Sequence, residues 1–325
     1  MKLYVYCPAG YVSGGPEALH QLANKALATG VDAKMVYFPH ESDQSTPTPF
    51  KCYNVEVADA ATDDEDSVIV VPETKTEMVY KFKHAKVVIW WLSIDNYFVI
   101  KRKRNWKKKL ANAVKGHKVH KDYDFENDGG FYHAAQSKYA WDFLQKKQMN
   151  NLYMLTDYLR AEYFEEINQS QSDSRENIVV YNPLKGSEFT QQLIEESKFD
   201  VQWVPIENMT PKEVRGLLLR AKIYIDFGPH PGRDRLPREA AVCGCCVVTG
   251  LRGSAGNSTD IPIPDAFKFP DDGVDVHSQV VDCLQDMMTN YEKYISSFAH
   301  YRSVIEKQEQ QFEGEVNTLL GALSS

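Results

Sequence analysis

Short β-branched and aromatic runs alternate with helix-like segments along this chain, and the alternation starts a second time past its midpoint. Leu3-Tyr4-Val5-Tyr6 reads as a buried strand ending at Cys7-Pro8, followed by a loop holding Gly10, Gly14 and Gly15. Pro16 then opens a helix where its missing N–H does no harm. Leu19, Leu22, Ala23, Ala26 and Leu27 fall on one face of it, and Gly30 stops it. Ala33–Phe38, Ser67–Val71 and Val87–Leu92 follow as strands, with a helix over Met78–Phe82 and a weaker strand near Tyr53–Val57. Phe131–Ser137 and Leu152–Leu155 flank a helix near Tyr139–Lys147. The strands are apolar throughout rather than on alternate residues, as parallel strands covered on both faces must be. Repeated βα units of this kind make an α/β fold with parallel sheets.

Glu165–Asn177 has no apolar period and is rich in Ser, Gln, Asn and charge, which marks a linker. The pattern restarts at Ile178–Tyr181 and continues through strands at Val201–Pro205, Ile223–Phe227 and Cys245–Thr249. Thr210-Pro211 with Glu213 spells a capping box for the helix over Pro211–Arg220, and Gly244 ends a short helix over Leu236–Cys243. Beyond about Val280 only helix is expected. The 325 residues suit two domains: 1–164, a linker at 165–177, 178–295, and a C-terminal helical segment at 296–325.

Charge narrows the class. There are 37 Lys/Arg against 45 Asp/Glu, a formal charge of −8, yet ten Lys/Arg and no acid lie between Lys101 and Lys121. An acidic chain with one basic block is not a general nucleic-acid binder. No apolar stretch is long enough to span a bilayer, and the short, polar N-terminal run does not read as a signal peptide. The six cysteines form no disulfide framework. Cys243, Cys245 and Cys246 are too tightly spaced for a zinc site, and no second ligand pair lies nearby. They read as packed, reduced thiols in a cytoplasmic protein.

Ligands of parallel sheets bind at loops leaving the carboxyl ends of the strands. Four such loops carry chemistry here. Gly10–Gly15 leads into a helix N-terminus, which suits an anion, although it is neither a dinucleotide fingerprint nor a phosphate loop. Tyr181–Gly186 sets Lys185 at the exit of a strand. Gly228–Glu239 joins a rigid Pro/Gly turn to Arg233, Arg235 and Arg238, whose forked donors match a diphosphate. Gly250–Ser258 holds three glycines after a strand. Should Lys185 and the arginines face one ligand, each charge-assisted bond adds roughly 1.5–3 kcal/mol, enough for nucleotide binding without a metal.

With its Leu/Ala helix and Gly30, the Gly14-Gly15-Pro16-Glu17-Ala18-Leu19 stretch resembles the start of GT-B glycosyltransferases, especially family 4 types. Pro237-Arg238-Glu239-Ala240-Ala241-Val242-Cys243-Gly244-Cys245-Cys246-Val247-Val248-Thr249-Gly250 resembles that family's donor motif in the second domain. The resemblance is strongest to bacterial surface-polysaccharide enzymes and implies two Rossmann-like domains with parallel sheets facing a central cleft. It also implies a C-terminal helix packed back on the first domain. The activity implied is transfer of a sugar from a nucleoside-diphosphate donor to a glycan or lipid-linked acceptor, retaining, with no metal and no other cofactor.

The resemblance also assigns roles. Gly14 and Gly15 approach the donor, Lys185 and Arg233 neutralise the diphosphate, and Glu239 holds the ribose. Asn208 and Met209 flank the base, and Gly253, Ser254 and Ala255 complete a phosphate cradle. Asn182, His230, Gly232 and Asp234 line the same donor site. Asp95 orients the acceptor hydroxyl or acts as base, unless it simply caps the turn after its strand. The family's donor motif has two Glu eight residues apart; here position 231 is Pro, with Asp234 the nearby acid.

Two rival readings make different demands. A metal-dependent GT-A transferase needs a D-x-D pair after a strand, which Asp64-Glu65-Asp66 and Asp122-Tyr123-Asp124 match only formally. A non-catalytic nucleotide-sugar-binding protein keeps the fold without turnover. The basic block, Lys101, Arg102, Lys103, Arg104, Trp106, Lys107, Lys108 and Lys109, continues to Leu110 and Val114 with the spacing of a basic amphipathic helix. It reads as an acceptor patch or as a contact with anionic lipid at the inner face of the membrane, against a plain solvated face.

Overall fold

The structure, a computed structural model, describes residues 1–112, 123–161, 163–165, 175–273 and 275–324, with only the backbone described at 105–112. The chain folds as two compact units. The first is Met1–Asp157 with Pro231–Arg233 and Gln310–Ser325; the second is Tyr158–His230 with Asp234–Glu309. The domain expected over 1–164 thus ends a few residues earlier, and of the expected linker at 165–177, residues 166–174 lie outside the described residues.

The first unit holds a seven-stranded sheet. Its strands are β1 (Lys2–Pro8), β2 (Asp32–Phe38), β3 (Glu56–Val57), β4 (Ser67–Pro72), β5 (Lys86–Trp91), β6 (Tyr132–Ala135) and β7 (Leu152–Met154). Their order is β3-β2-β1-β4-β5-β6-β7, every pair parallel. Successive side chains point to opposite faces, and both faces are buried. Ile69, Val71, Val87, Ile89 and Trp91 enter one cluster with Tyr97, Tyr123 and Leu144. Leu3, Val5, Val68, Val70, Val88 and Trp90, on the intervening positions, are equally buried. This is why the strands lack alternation in sequence.

Helix α1 (Gly14–Ala28) buries the predicted stripe Leu19, Leu22, Ala23 and Ala26, while Leu27 is exposed. Helix α2 (Ile94–Asn112) and helix α3 (Lys138–Lys146) follow β5 and β6. The helix expected over Met78–Phe82 is a 3-10 segment, Glu73–Lys81, with a kink at Lys75.

The second unit has a four-stranded parallel sheet, ordered β11-β10-β8-β9. Its strands are β8 (Glu176–Tyr181), β9 (Gln202–Pro205), β10 (Ala221–Asp226) and β11 (Cys246–Thr249). Helices α4 (Ser187–Glu196), α5 (Pro211–Arg220), α6 (Leu236–Val242) and α7 (Val276–Thr289) belong to it. The capping box forms as read: Thr210 Oγ1 accepts from Glu213 N at 3.3 Å, and Thr210 N donates to the Glu213 carboxylate at 2.7 Å. Cys243, Cys245 and Cys246 are buried, and burial pushes the Cys243 thiol up to about 11 and that of Cys246 to about 12.

Helices α8 (Tyr291–Ile295), α9 (Ala299–Glu306) and α10 (Gln308–Ser324) end the chain, and α10 from Gln310 on belongs to the first unit, as the packed-back helix was expected to. Phe312 stacks on Trp90 with ring centroids 6.4 Å apart, and Trp90 Nε1 donates to Leu155 O at 2.9 Å. Lys86 Nζ donates to Leu323 O at 2.7 Å, and Glu315 accepts from Thr156 N at 2.7 Å. Phe312→Ala removes a fully buried ring, so it should lower the stability of the first unit by about 3–5 kcal/mol in urea denaturation followed by Trp fluorescence. A change below about 1 kcal/mol would mean that α10 is not part of this core.

Candidate functional site

Each sheet reverses its strand order once, and the loops on either side of the reversal diverge to leave a crevice. In the second unit the reversal lies between β8 and β10. The loop after β8 carries Asn182 and Lys185; the loop after β10 carries His230 and Asp234. Asn182 Oδ1 accepts from Leu184 N at 3.1 Å, which tightens the turn that presents Lys185. Gly186 closes it with φ +56°, and a Cβ there would stand 2.0 Å from Phe227 O, so only glycine fits between the two loops.

Lys185 Nζ pairs with Asp234 Oδ2. His230 Nδ1 lies 2.8 Å from the same oxygen. On the other side of the ring, Nε2 is 3.3 Å from Asp226 O and 3.5 Å from Asp226 Oδ1. Tyr224 OH donates to Asp226 Oδ2 at 2.8 Å. Asp226 and His230 are buried, whereas the side chains of Lys185 and Asp234 are 20% and 24% exposed.

Burial raises the Asp226 carboxyl, with His230 and Lys185 opposing it only in part. Burial by itself would depress the His230 imidazole, but the hydrogen bond to Asp234 and the charges of both aspartates lift it above the ordinary histidine value. Asp234 also meets a burial penalty, yet His230 and Lys185 outweigh it and hold this carboxyl below the usual range.

The loop after β11 joins this cluster through backbone. Gly253 pairs with His230 in a parallel bridge, and Ser254 N donates to His230 O at 2.9 Å. Gly253 has φ +66°, and a Cβ there would fall 2.1 Å from His230 O. One of the three N–H groups expected to meet a phosphate, that of Ser254, is therefore already bonded, and Ala255 is buried. Glu239, in the first turn of α6, faces Arg235 at 3.3 Å. Arg238 is buried and donates to Asp234 O at 3.3 Å and to Gln308 Oε1 at 3.0 Å. Asn208 and Met209 are exposed; Met209 lines a groove of about 600 Å³ with Val204, Glu213 and Arg220.

Among the described residues, Asp226, His230 and Asp234 are the group whose ligand atoms approach within 4.8 Å, the spacing a metal ion needs. The two carboxylates face opposite nitrogens of one ring, however, and an ammonium already sits on Asp234. The geometry is a line of close charged contacts, with the carboxylates on opposite sides of the imidazole ring.

In the first unit, Gly14 and Gly15 open α1, and a Cβ on Gly15 would lie 3.5 Å from a Leu92 methyl. Gly232 bridges to Ser93. Arg233 N donates to Gln136 Oε1 at 3.4 Å, and its guanidinium reaches Asp157 O at 3.2 Å. The turn after β5 is capped by Ser93, whose Oγ accepts from Asn96 N at 3.0 Å. Asp95 is thus not the cap of that turn: its carboxylate accepts instead from Tyr139 OH at 3.0 Å, and burial raises it. Of the basic block, Lys101 is turned onto Tyr97 OH at 2.9 Å and Arg104 onto Glu77, while Arg102 and Lys103 are exposed. The side chains of Trp106, Lys107, Lys108, Lys109 and Leu110, and all of Val114, lie outside the described residues. No helix among the described residues is long and apolar enough to cross a membrane.

No protein-family model and no curated protein matches this chain. Solved structures do. Sucrose-phosphate synthase from Thermosynechococcus elongatus superposes with a TM-score of 0.62 over 99% of both chains at 11% identity. WaaG, a glycosyltransferase involved in lipopolysaccharide biosynthesis, gives 0.56 over 96% of this chain and 98% of its own at 10% identity. S. aureus TarM gives 0.54 at 11% identity over 81% of this chain, which spans 56% of the TarM chain.

The fold is GT-B. Identities near 10% establish that shape and no more. Two parallel sheets in separate units are not the single-domain GT-A arrangement, and its acid pairs are placed otherwise as well. Asp64 precedes β4, bonded to Lys2 at 3.0 Å and to Ser67 at 2.7 Å. Asp122 lies outside the described residues, and Asp124 accepts from Glu126 N at 3.2 Å.

Two residues at the GT-B strand ends escape a reading of the sequence alone. Asp226 is the one charge in the apolar run Ala221–Phe227 after Lys222, and such an interruption at a strand's carboxyl end is a signal. Glu73, directly after β4 and beside the first sheet's reversal, is fully buried and accepts from Leu92 N at 3.3 Å. Burial lifts its carboxyl to about 8. The folded state therefore keeps a proton that the unfolded chain gives up near the ordinary 4.5, so Glu73 makes stability fall as pH rises from there to about 8. Glu73→Gln should flatten that fall and raise the unfolding free energy from urea denaturation above wild type at about pH 8.5, by roughly 2–5 kcal/mol. Superimposable pH–stability curves would contradict the buried proton.

Proposed function

We propose that this chain is a glycosyltransferase that moves a sugar from a nucleoside-diphosphate donor to a glycan or lipid-linked glycan acceptor. The observation that carries the reading is the Lys185–Asp234–His230 cluster at the strand-order reversal of the second unit in a GT-B fold. Lys185 is the cation that meets the departing diphosphate, and its ammonium does there what a divalent ion does in metal-dependent enzymes, so the transfer is proposed to need no metal. Glu239 takes the ribose, Asn182, Asn208 and Met209 the base side, and Gly253 the phosphate. The family resemblance further assigns Gly14, Gly15, Gly232 and Arg233 to a donor and Asp95 to the acceptor hydroxyl.

In the transfer the anomeric carbon exchanges its bond to the diphosphate oxygen for one to the acceptor oxygen. The diphosphate departs with the electron pair of the broken bond, and the proton of the acceptor hydroxyl passes to that departing diphosphate. We assign retention of configuration on the family resemblance. TarM was solved with UDP and α-GlcNAc-glycerol, and WaaG acts in lipopolysaccharide biosynthesis. These neighbours support a surface-polysaccharide role, and the exposed Phe98, Val99, Arg102 and Lys103 on α2 support contact with an anionic membrane face from the cytoplasm.

The test is a thermal-shift panel of UDP, GDP, CMP and dTDP, followed by donor-hydrolysis kinetics. One nucleoside diphosphate should raise the melting temperature, and Lys185→Ala should cut turnover of its sugar by about two orders of magnitude or more while the fold persists. Near-normal turnover in Lys185→Ala would remove the site assignment. Binding without any turnover would favour the non-catalytic protein instead.

A further inference from the structure

Asp226 has no part in the transfer just described, yet it is among the most deeply buried charges of the second unit. It is 2% exposed and sits at the carboxyl end of β10. A carboxylate there is tolerated only with partners. It has Tyr224 OH at 2.8 Å on one oxygen and His230 Nε2 at 3.5 Å from the other. His230 passes the contact on, with Nδ1 2.8 Å from Asp234 Oδ2, and Lys185 shares that oxygen. The result is one line, Tyr224–Asp226–His230–Asp234–Lys185, with its inner half sealed and its outer half open to solvent.

We infer that Asp226 and His230 are positioning residues that set, through Asp234, how readily Lys185 is given over to a diphosphate. The inference rests on the donor-site reading above. With His230 protonated, two cations share two carboxylates and the line is neutral. Asp234 then has a second cation to face when Lys185 turns to a phosphate. With His230 neutral, Asp234 holds Lys185 alone, and the line carries one net negative charge that repels the ligand. The groups facing His230 are Asp226 and Tyr224 from β10, Asp234 from its own loop and Lys185 from the loop after β8, with Glu239 of α6 acting on Tyr224. Both aspartates raise the imidazole, and Lys185 lowers it.

Asp226→Asn separates this from simple packing, because it keeps the shape and removes the charge. The probes are the His230 ring signal in NMR, assigned with His230→Gln, and the affinity of UDP and of GDP by calorimetry from about pH 7 to about pH 9. In the wild type His230 should titrate above the ordinary 6.5, and in Asp226→Asn clearly lower. The tighter nucleotide should lose roughly three- to tenfold in affinity over that range in the wild type, and less than about twofold in Asp226→Asn, where the line stays neutral throughout. A His230 that titrates at or below 6.5, or an Asp226→Asn protein with the wild-type pH profile, overturns the inference. Stoichiometric Mn²⁺ binding that Asp226→Asn abolishes overturns it as well, since the cluster is then a metal site. Failure of both nucleotides to bind at any pH overturns the donor reading and this inference with it, whereas nucleotide binding with an unchanged pH profile in Asp226→Asn overturns this inference alone.

Discussion

A parallel strand buried on both faces leaves the chain one place to put polar chemistry, the end of the strand. Each unit of this protein is built on that constraint. Trp90, Val88 and Val70 face one side of the first sheet and Trp91, Ile89 and Val71 the other, all buried. The charged and polar residues therefore gather where strands stop: Glu73 after β4, Ser93 and Asp95 after β5, Asp226, His230 and Asp234 at and after β10. The site is a consequence of the core. At β10 the last residue of the strand is itself ionisable, so the buried end must be neutralised by the loop that follows. His230 and Asp234 do this, and Lys185 completes the line from the neighbouring loop.

What is legible in the sequence follows from the same constraint. Continuous β-branched runs such as Ser67–Val71 announce a strand covered twice, and the Leu19–Leu22–Ala23–Ala26 stripe announces its covering helix. Capping at Thr210 is a local code and is readable to the residue. The cluster itself is legible only as ingredients. Lys185, His230 and Asp234 stand out as loop residues, but 49 positions separate Lys185 from Asp234, and their pairing is a product of strand order. Arg233 shows the limit from the other side. Its sequence neighbours suggest a diphosphate, while its guanidinium reaches the Asp157 backbone at 3.2 Å in the first unit. Spacing alone makes Asp95 a candidate cap, and Ser93, two residues earlier, takes that task because its hydroxyl is the one in reach of Asn96 N.

The basic block and the Lys185–Asp234–His230 cluster illustrate two uses of charge. On α2, Arg102 and Lys103 are exposed and screened by solvent, so each contributes weakly and only in number. In the second unit four ionisable groups sit in contact, two of them buried, and each one sets the state of the next.

Lys185 is proposed to leave Asp234 when it meets a nucleoside diphosphate. A crystal structure of the protein soaked with UDP or GDP, whichever raises its melting temperature, tests it directly. A phosphate oxygen is expected within about 3 Å of Lys185 Nζ, with Asp234 still on His230. A diphosphate bound elsewhere, with Lys185 still on Asp234, would contradict it.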